Sequence, residues 1–469
     1  MKRTSSHGRA DVVIAGAGPA GVLTAVLLAR FGHEVLLLTG GRRQPRIEGL
    51  SQRVVDILRS QGLGTAASAV GPFVGREVLW DGERGARNRE YVTERVAFDA
   101  ALQRDAAAAG VALRDVRRLK VRTREDGADL AWTAPEGREA QAEARFFIEA
   151  RGRAAPGGRT RQQRGPETTA LTRRIAGAGE GACTALESFH DGWAWYVSDG
   201  GSAFLQIFLD SDGLPKRPGL AARFDRAAAE LTLIGEVLGS GRAEGAVLTR
   251  GATPAVARDL IKGAVLRVGD AALAVDPLSG HGNFEALGSA LAAAAVVNTL
   301  LTKSENAALA QRFYEERART AFLRYCRVGR DFYALERRWS ERDFWRRRAA
   351  WPDDEPAHPT EDLDRATVLR RPVVEEGIVV ERRVLVTSDQ PRGIWRLDGV
   401  PLPQLLDRLG EAEGQALAAC APAMAADLEV EEAQLASALA WLQSRRLLAA
   451  GEEIRLQRDR IETEAPEPA

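Results

Sequence analysis

Gly16, Gly18 and Gly21 stand at the spacing G-x-G-x-x-G, and the chemistry that spacing serves is the holding of a dinucleotide pyrophosphate. Gly16 permits a tight turn, Gly18 lets the backbone approach a phosphate, and Gly21 lets the next helix pack close on the strand. With Pro19 and Ala20 the last two open that helix, whose free N–H groups and positive end then face the anion. The bland alternative is a glycine-rich turn between a core strand and a helix. The context favours the sharper reading: an apolar strand run at Val12 to Ala15 comes before, an Ala/Leu-rich helix pattern after, and a second strand at Glu34 to Leu38. An acidic residue is expected about 20 residues on, to hold an adenosine ribose. Here Thr39 stands at that point, followed by Gly40 and Gly41, and a hydroxyl makes a weaker ribose contact.

A second loop-to-helix junction lies far along the chain. Ala264 to Asp270 (AVLRVGD) reads as a buried parallel strand, and Ala271 to Phe284 as a glycine-rich loop running into a helix at Glu285 to Leu301. If a flavin lies there, the helix amides stabilise negative charge on its reduced ring and Asp270 accepts from a ribityl hydroxyl. His281 either touches the ring or caps the turn. Arg46, just before the stretch Glu48 to Leu63, and Arg53 within it either neutralise cofactor phosphates or are simply solvated. That stretch reads as an amphipathic helix capped by Ser51. Arg95 precedes a helix whose Phe98 and Leu102 share a face. Trp193 and Trp195 are two apart on one strand face, serving either as core or as an aromatic wall beside a flat substrate.

Composition narrows the class. With 469 residues and 45% apolar content the chain holds two or three domains with substantial cores. Lysine plus arginine equals aspartate plus glutamate at 65 each, which argues against a nucleic acid or an anionic membrane as partner. Cys183, Cys326 and Cys420 are far apart and lack metal-ligand spacing, so neither a zinc site nor a disulfide framework is expected. The basic start at Met1 to Arg9 imitates a secretory signal, but the glycine motif inside the following apolar stretch argues otherwise. No uninterrupted apolar run of about 18 residues occurs. The expectation is a cytoplasmic protein without a membrane span.

The fold class expected is α/β: a Rossmann-like dinucleotide-binding domain interleaved with an antiparallel-sheet substrate domain, plus a small winged-helix-like C-terminal domain. Residues 1–180 and 251–350 form the first, with a basic loop at 42–46 and long helices from 305 to 348. Residues 181–250 form the substrate sheet, 351–370 a Pro- and acid-rich linker, 371–450 the small domain, and 451–469 a flexible tail. From Arg371 to Ala469 there are 18 acidic against 11 basic residues, so this module is expected to dock a protein rather than DNA. Gly177, Gly179 and Ala182 repeat the glycine spacing, but that match is set aside for want of a strand before it and a helix after it.

Five segments together carry a family resemblance: GAGPAG at 16–21, EGLSQRVVDILRSQGL at 48–63, RVAFD at 95–99, EARGR at 149–153 and GDAALAVDPLSGHG at 269–282. They resemble the flavoprotein monooxygenases of the para-hydroxybenzoate hydroxylase superfamily across most of residues 11–300. The resemblance implies FAD, with Gly16, Gly18, Pro19, Ala20 and Gly21 at the pyrophosphate and Arg95 nearby. It also sets Asp270 at the ribityl chain; Thr39, Arg46, Arg53, Pro277, Gly280, Gly282 and Asn283 are the further cofactor-binding candidates. GWAWY at 192–196 and the aromatic, arginine-rich stretch at 332–348 are similar to the tryptophan halogenases. Halogenation requires a lysine between the second strand and the helix after RVAFD, and none of Lys2, Lys120, Lys216, Lys262 and Lys303 lies there. The chain is therefore more similar to the flavoproteins that hydroxylate a peptidyl tryptophan during cysteine tryptophylquinone biogenesis, as in maturation of quinohemoprotein amine dehydrogenase. EGLSQR and the appended module fit that group, and the module also resembles the peptide-binding winged helices of modified-peptide systems.

That resemblance implies a mechanism in which reduced FAD and O2 give a C4a-hydroperoxide that transfers oxygen to the indole of a partner protein, alone or with a maturation-enzyme complex. NAD(P)H or another reductant supplies electrons. His281 is the best-placed base for the ring proton, Trp193 and Trp195 wall the substrate pocket, and no metal is required. The competing readings are a small-molecule aromatic hydroxylase, a halogenase or flavin reductase, and a flavin-bearing regulator.

Overall fold

The computed structural model describes residues 7–40, 45–156, 162–179, 181–215, 217–358 and 364–463. Part of the expected basic loop (Arg42 and Arg43), Lys2, Lys216 and the last six residues lie outside these. The chain forms two compact units, residues 1–301 with 314–357, and residues 302–313 with 358–469.

The first unit is built on two sheets. In one, strands Ile261–Lys262, Val265–Arg267, Glu139–Glu149, His7–Ala15, Val35–Thr39 and Ala112–Asp115 lie side by side. The pairings of His7–Ala15 with both neighbours are parallel, as are those of Val35–Thr39 with Ala112–Asp115 and of Val265–Arg267 with Glu139–Glu149. Val12, Val13, Ile14, Leu37 and Ile148 are fully buried, the burial on both faces that a parallel sheet imposes. Strands Arg118–Thr123 and Ala128–Thr133 form a hairpin appended to Glu139–Glu149.

The second sheet has eight strands in the order Arg242–Gly251, Thr168–Ala176, Ala203–Asp210, Gly192–Asp199, Ala182–Phe189, Phe73–Trp80, Glu83–Glu94 and Ile47–Leu50. Its strands come from well before residue 181, so the expected boundary of 181–250 is too narrow. Local alternation signals each strand but not its partner, and Ala182–Phe189 pairs in parallel with the distant Phe73–Trp80. One face packs Ala194, Tyr196, Leu205 and Ile207 against Phe224 and Ile234 of two covering helices. The other face carries Trp193 and Phe208 against Tyr333, Phe344 and Trp345.

Four other expectations are corrected. Residues 47–50 are a strand, and the helix begins only at Gln52, with Ser51 at its N-cap position but making no side-chain capping bond. The set-aside glycine match at 177–182 does follow a nine-residue strand, although a strand and not a helix comes after it. Strand Ala366–Glu375 starts inside the expected linker. The expected tail is folded through residue 463: Ile454 is fully buried and Ile461–Thr463 pairs with Ala366–Val368.

The second unit contains a four-stranded sheet, Gln390–Ile394, Ile378–Thr387, Ala366–Glu375 and Ile461–Thr463. Helices Leu402–Glu411, Leu417–Asp427 and Glu432–Ser444 follow, then a short hairpin closed by the bridge of Leu448 with Leu456. Three helices and a hairpin in this order form the winged-helix-like arrangement. Leu402, Leu405, Leu409, Ala438 and Leu442 are its fully buried core.

Among the described residues one helix, Gly282–Thr302, is long and apolar enough to cross a membrane, but 67% of its apolar window is buried inside the protein, as in a core helix.

Candidate active site

Strand His7–Ala15 delivers Gly16 into a turn at φ +115°, where an added Cβ would lie 2.3 Å from the carbonyl oxygen of Ala150. Only glycine fits both the angle and the approach. Gly21 is equally constrained, since its Cβ would stand 1.9 Å from the carbonyl oxygen of Gly16. Gly18, by contrast, is the N-cap of helix Pro19–Arg30 and has open space: Arg95 Nη2, at 3.9 Å, is the nearest atom its Cβ would meet. Steric demand of the fold explains Gly16 and Gly21 but leaves Gly18 to a ligand that needs close backbone approach.

Two arginines lie beside this turn. Arg95, 4% exposed at the start of helix Arg95–Ala108, donates to Glu48 at 2.7 Å, Asp99 at 2.7 Å and Asn283 Oδ1 at 3.2 Å. Its Nε is buried without a partner, as are Nε and Nη1 of Arg46, which is ion-paired to Glu48 through its other nitrogen. Buried guanidinium donors left unsatisfied are costly. Arg95 Nη2 borders the open space at Gly18, so the turn and this guanidinium together fit a pyrophosphate.

The second junction comes to the same place. Gly269, at φ +60°, packs so tightly on the first turn of helix Pro19–Arg30 that its Cβ would lie 2.8 Å from that of Ala20. Asp270 follows, 38% exposed and 3.4 Å from Arg153 Nε. The loop then turns through Pro277 and left-handed Gly280 (φ +68°) into helix Gly282–Thr302, and Asn283 in its first turn touches Arg95. This helix starts three residues before the expected Glu285. The structure thus brings together the glycine turn, Arg46, Arg95, Asp270 and Asn283.

Other expected residues stand differently. Thr39 is buried at the end of its strand, where its carbonyl accepts from Val116 N–H at 2.8 Å. Arg53 is exposed on helix Gln52–Ser60. His281 is half-buried, its ring 5.0 Å from that of Tyr325. Trp193 is a core residue and not a pocket wall: it is 2% exposed, stacks on Phe208 at 3.8 Å and donates to Tyr333 Oη at 3.2 Å. Trp195 is half-buried, and its indole N–H is buried without a partner.

Sequence reasoning missed the buried groups behind the loop. Asp276 accepts from Tyr333 Oη, and burial pushes its carboxyl above the ordinary range while burial and the Asp276 charge push the Tyr333 phenol up. Buried Glu285 is held by two bonds from part-buried Arg317, at 2.6 and 3.1 Å. Burial first, then the Glu285 charge, raises the neighbouring Tyr325 phenol to about 12. A carboxylate directly before Pro277 was the signal available for Asp276, since it marks an N-cap. Among the described residues no cluster of three or more His, Cys, Asp or Glu side chains is placed to hold a metal.

A dinucleotide-binding domain joined to an aromatic-faced sheet, with a glycine turn and arginines at their common loops, is the architecture of an FAD enzyme, and its relatives make it a flavin-dependent monooxygenase. The FAD binding domain family matches residues 9–182. The chain belongs to the family of the peptidyl tryptophan dihydroxylase QhpG, described as essential for tryptophylquinone cofactor biogenesis. Sequence identity to that protein is 37% over 94% of this chain and 100% of QhpG, with a TM-score of 0.78. The flavin-dependent halogenase CmlS shares the fold at 19% identity over 96% of this chain and 98% of its own (TM-score 0.70). So does the chondrochloren halogenase CndH, at 23% identity over 73% and 86% (TM-score 0.63). No curated protein sequence gives a significant match.

Proposed function

We propose that this chain hydroxylates a tryptophan held within a partner polypeptide, during assembly of a tryptophylquinone cofactor. The observation that carries the reading is the 37% identity to QhpG over 94% of this chain and all of QhpG. CmlS matches as much of the chain at only 19% identity, so it is the identity and not the extent of the match that favours the peptidyl substrate.

Gly18 and the N-terminus of helix Pro19–Arg30 would hold the FAD pyrophosphate, with Arg46 and Arg95 neutralising it and Asn283 steadying Arg95. Asp270 would accept from the ribityl hydroxyls, and Thr39 would meet the ribose. When bound and reduced, FAD supplies the activation of O2. The amides opening helix Gly282–Thr302 would favour negative charge on the reduced flavin. The aromatic face of the eight-stranded sheet would exclude water, and Trp195, half-buried on it, would touch an incoming indole. A His281 ring nitrogen would take the proton from the indole carbon that gains oxygen. A nicotinamide or another reductant, a maturation-enzyme complex around the partner, and a cytoplasmic setting belong to the same reading.

The test is tandem mass spectrometry of the tryptophan-bearing partner polypeptide after incubation with FAD-loaded protein, reductant and air, with catalase present to remove free peroxide. Oxygen gained at one tryptophan supports the reading. Hydroxylation of free indoles with an unchanged polypeptide would replace it with a small-molecule enzyme.

A further inference from the structure

Three elements that are distant in sequence meet at Asp276. It is 5% exposed and sits immediately before the turn Pro277–Ser279. Its Oδ1 accepts from Leu278 N–H at 2.9 Å, and its carbonyl oxygen accepts from the Ser279 hydroxyl at 2.7 Å. One residue therefore ties the turn that leads through left-handed Gly280 to His281 and Gly282. From the opposite side Tyr333 Oη donates to the same carboxylate, 3.2 Å from each oxygen, and accepts from Trp193 Nε1 at 3.2 Å. Trp193 is anchored in turn by its stack on Phe208, on the neighbouring strand of the sheet. The chain Trp193, Tyr333, Asp276 runs without a gap from the sheet to the loop at the mouth of helix Gly282–Thr302.

The surroundings leave the carboxylate few other ways to be held. Arg153 spends two donors on the carbonyls of Thr253 and Val275. Buried Arg348 donates to Phe344 O and Thr168 Oγ1. Beside Asp276, Tyr333, Cys326, Arg330 and Arg348 lies a cavity of 10 Å³, room for at most one water. A carboxyl so enclosed depends on its protein partners for its orientation.

We propose that Asp276 and Tyr333 are positioning residues: with the sheet as anchor, they hold the loop Pro277–Gly282 in the conformation that receives the FAD ring. The proposal rests on FAD binding alone and is independent of which indole the enzyme hydroxylates. It predicts that the two act as one unit, because the Tyr333 hydroxyl, the group that Tyr333→Phe removes, bonds to the loop through Asp276.

The variants are Tyr333→Phe, Asp276→Asn and the pair, with Trp345→Phe as a control. Trp345 lies in the same aromatic cluster, but its indole N–H bonds to the carbonyls of Phe189 and His190, away from the loop. Measured are the FAD dissociation constant by flavin fluorescence, the visible circular dichroism of bound FAD, and the thermal midpoint of the FAD-free protein. Each single variant is expected to weaken FAD binding about tenfold and to alter the flavin dichroism. The pair should be no weaker than the poorer single variant. Trp345→Phe should lower the thermal midpoint and leave FAD affinity at the parent value. Unchanged FAD affinity and dichroism in Tyr333→Phe would overturn the proposal. So would multiplying effects in the pair, or an equal loss of FAD in Trp345→Phe, which would reduce the chain to ordinary core bonding. Should Asp276→Asn not fold, Tyr333→Phe decides alone, because it keeps the ring and its packing.

Discussion

Gly18 and Gly21 lie three residues apart in one motif, yet alanine should fail at the two positions for different reasons. At Gly18 the backbone is ordinary (φ −85°, ψ −177°), and a methyl group would meet nothing nearer than Arg95 Nη2 at 3.9 Å. Alanine there narrows the unfolded ensemble, a gain of about 0.4–1 kcal/mol, and is a poorer N-cap by up to about 1 kcal/mol. These terms nearly cancel, so the FAD-free protein should keep its stability to within about 1 kcal/mol. Under the proposed function the same methyl group would occupy the path of the pyrophosphate to the backbone. Losing two charge-assisted hydrogen bonds at about 1.5–3 kcal/mol each corresponds to a hundredfold to ten-thousandfold weaker FAD binding, at about 1.4 kcal/mol per factor of ten. At Gly21 a methyl carbon would sit 1.9 Å from the carbonyl oxygen of Gly16, and that turn is itself pressed against Ala150. Backbone cannot rotate away as a flexible side chain can, so Gly21→Ala should cost the upper end of about 1–3 kcal/mol or more. Urea unfolding of the FAD-free proteins and fluorescence titration with FAD separate the two. Parent-like FAD affinity in Gly18→Ala, or parent-like stability in Gly21→Ala, would refute the assignment of Gly18 to ligand and Gly21 to packing.

Three further outcomes follow from buried groups. Burial holds the Asp276 carboxyl above its ordinary 3.8, so over the range between that value and its folded one the native state keeps a proton that the unfolded chain has released. The stability this lends is complete below the range and is lost as pH rises through it, and Asp276→Asn should flatten that part of a urea-midpoint profile taken over roughly pH 4 to 8. Arg95→Met leaves Glu48 with one guanidinium in place of two and Asp99 without its 2.7 Å partner. It should cost about 3–5 kcal/mol by chemical denaturation and weaken FAD binding. Trp193→Phe removes a bonded indole N–H whereas Trp195→Phe removes an unpartnered one. Thermal melts should therefore rank Trp193→Phe as the more destabilising, by about 1 kcal/mol or more.

The parts of the site that the sequence made legible are those whose chemistry is local. The glycine turn, its flanking strand and helix, and the GDAALAVDPLSGHG loop each carry their signal within about a dozen residues, because turn angle and helix start are local properties. The reading of Trp193 as a pocket wall failed for the opposite reason. Whether a strand residue faces substrate or core depends on which distant element covers it, and here the cover is Tyr333, 140 positions away. Ile47–Leu50 went unread as a strand because its partner is Tyr91–Glu94 and nothing in EGLSQR alternates. The folded end of the chain was missed likewise: the composition of 451–469 is that of a solvated tail, and only pairing with Ala366–Val368 shows that it belongs to a sheet. Asp276 was visible beside Pro277, but its role depends on Tyr333, which no spacing rule connects to it.

The measurement that tests the central claim most directly is the reaction of the FAD-loaded enzyme, a reductant and the tryptophan-bearing partner polypeptide under oxygen-18 gas, with the product sequenced by mass spectrometry. Heavy oxygen taken from the gas at a single tryptophan, lost when FAD or reductant is omitted, is the predicted result. A polypeptide of unchanged mass, or one carrying oxygen drawn from water, would contradict the account.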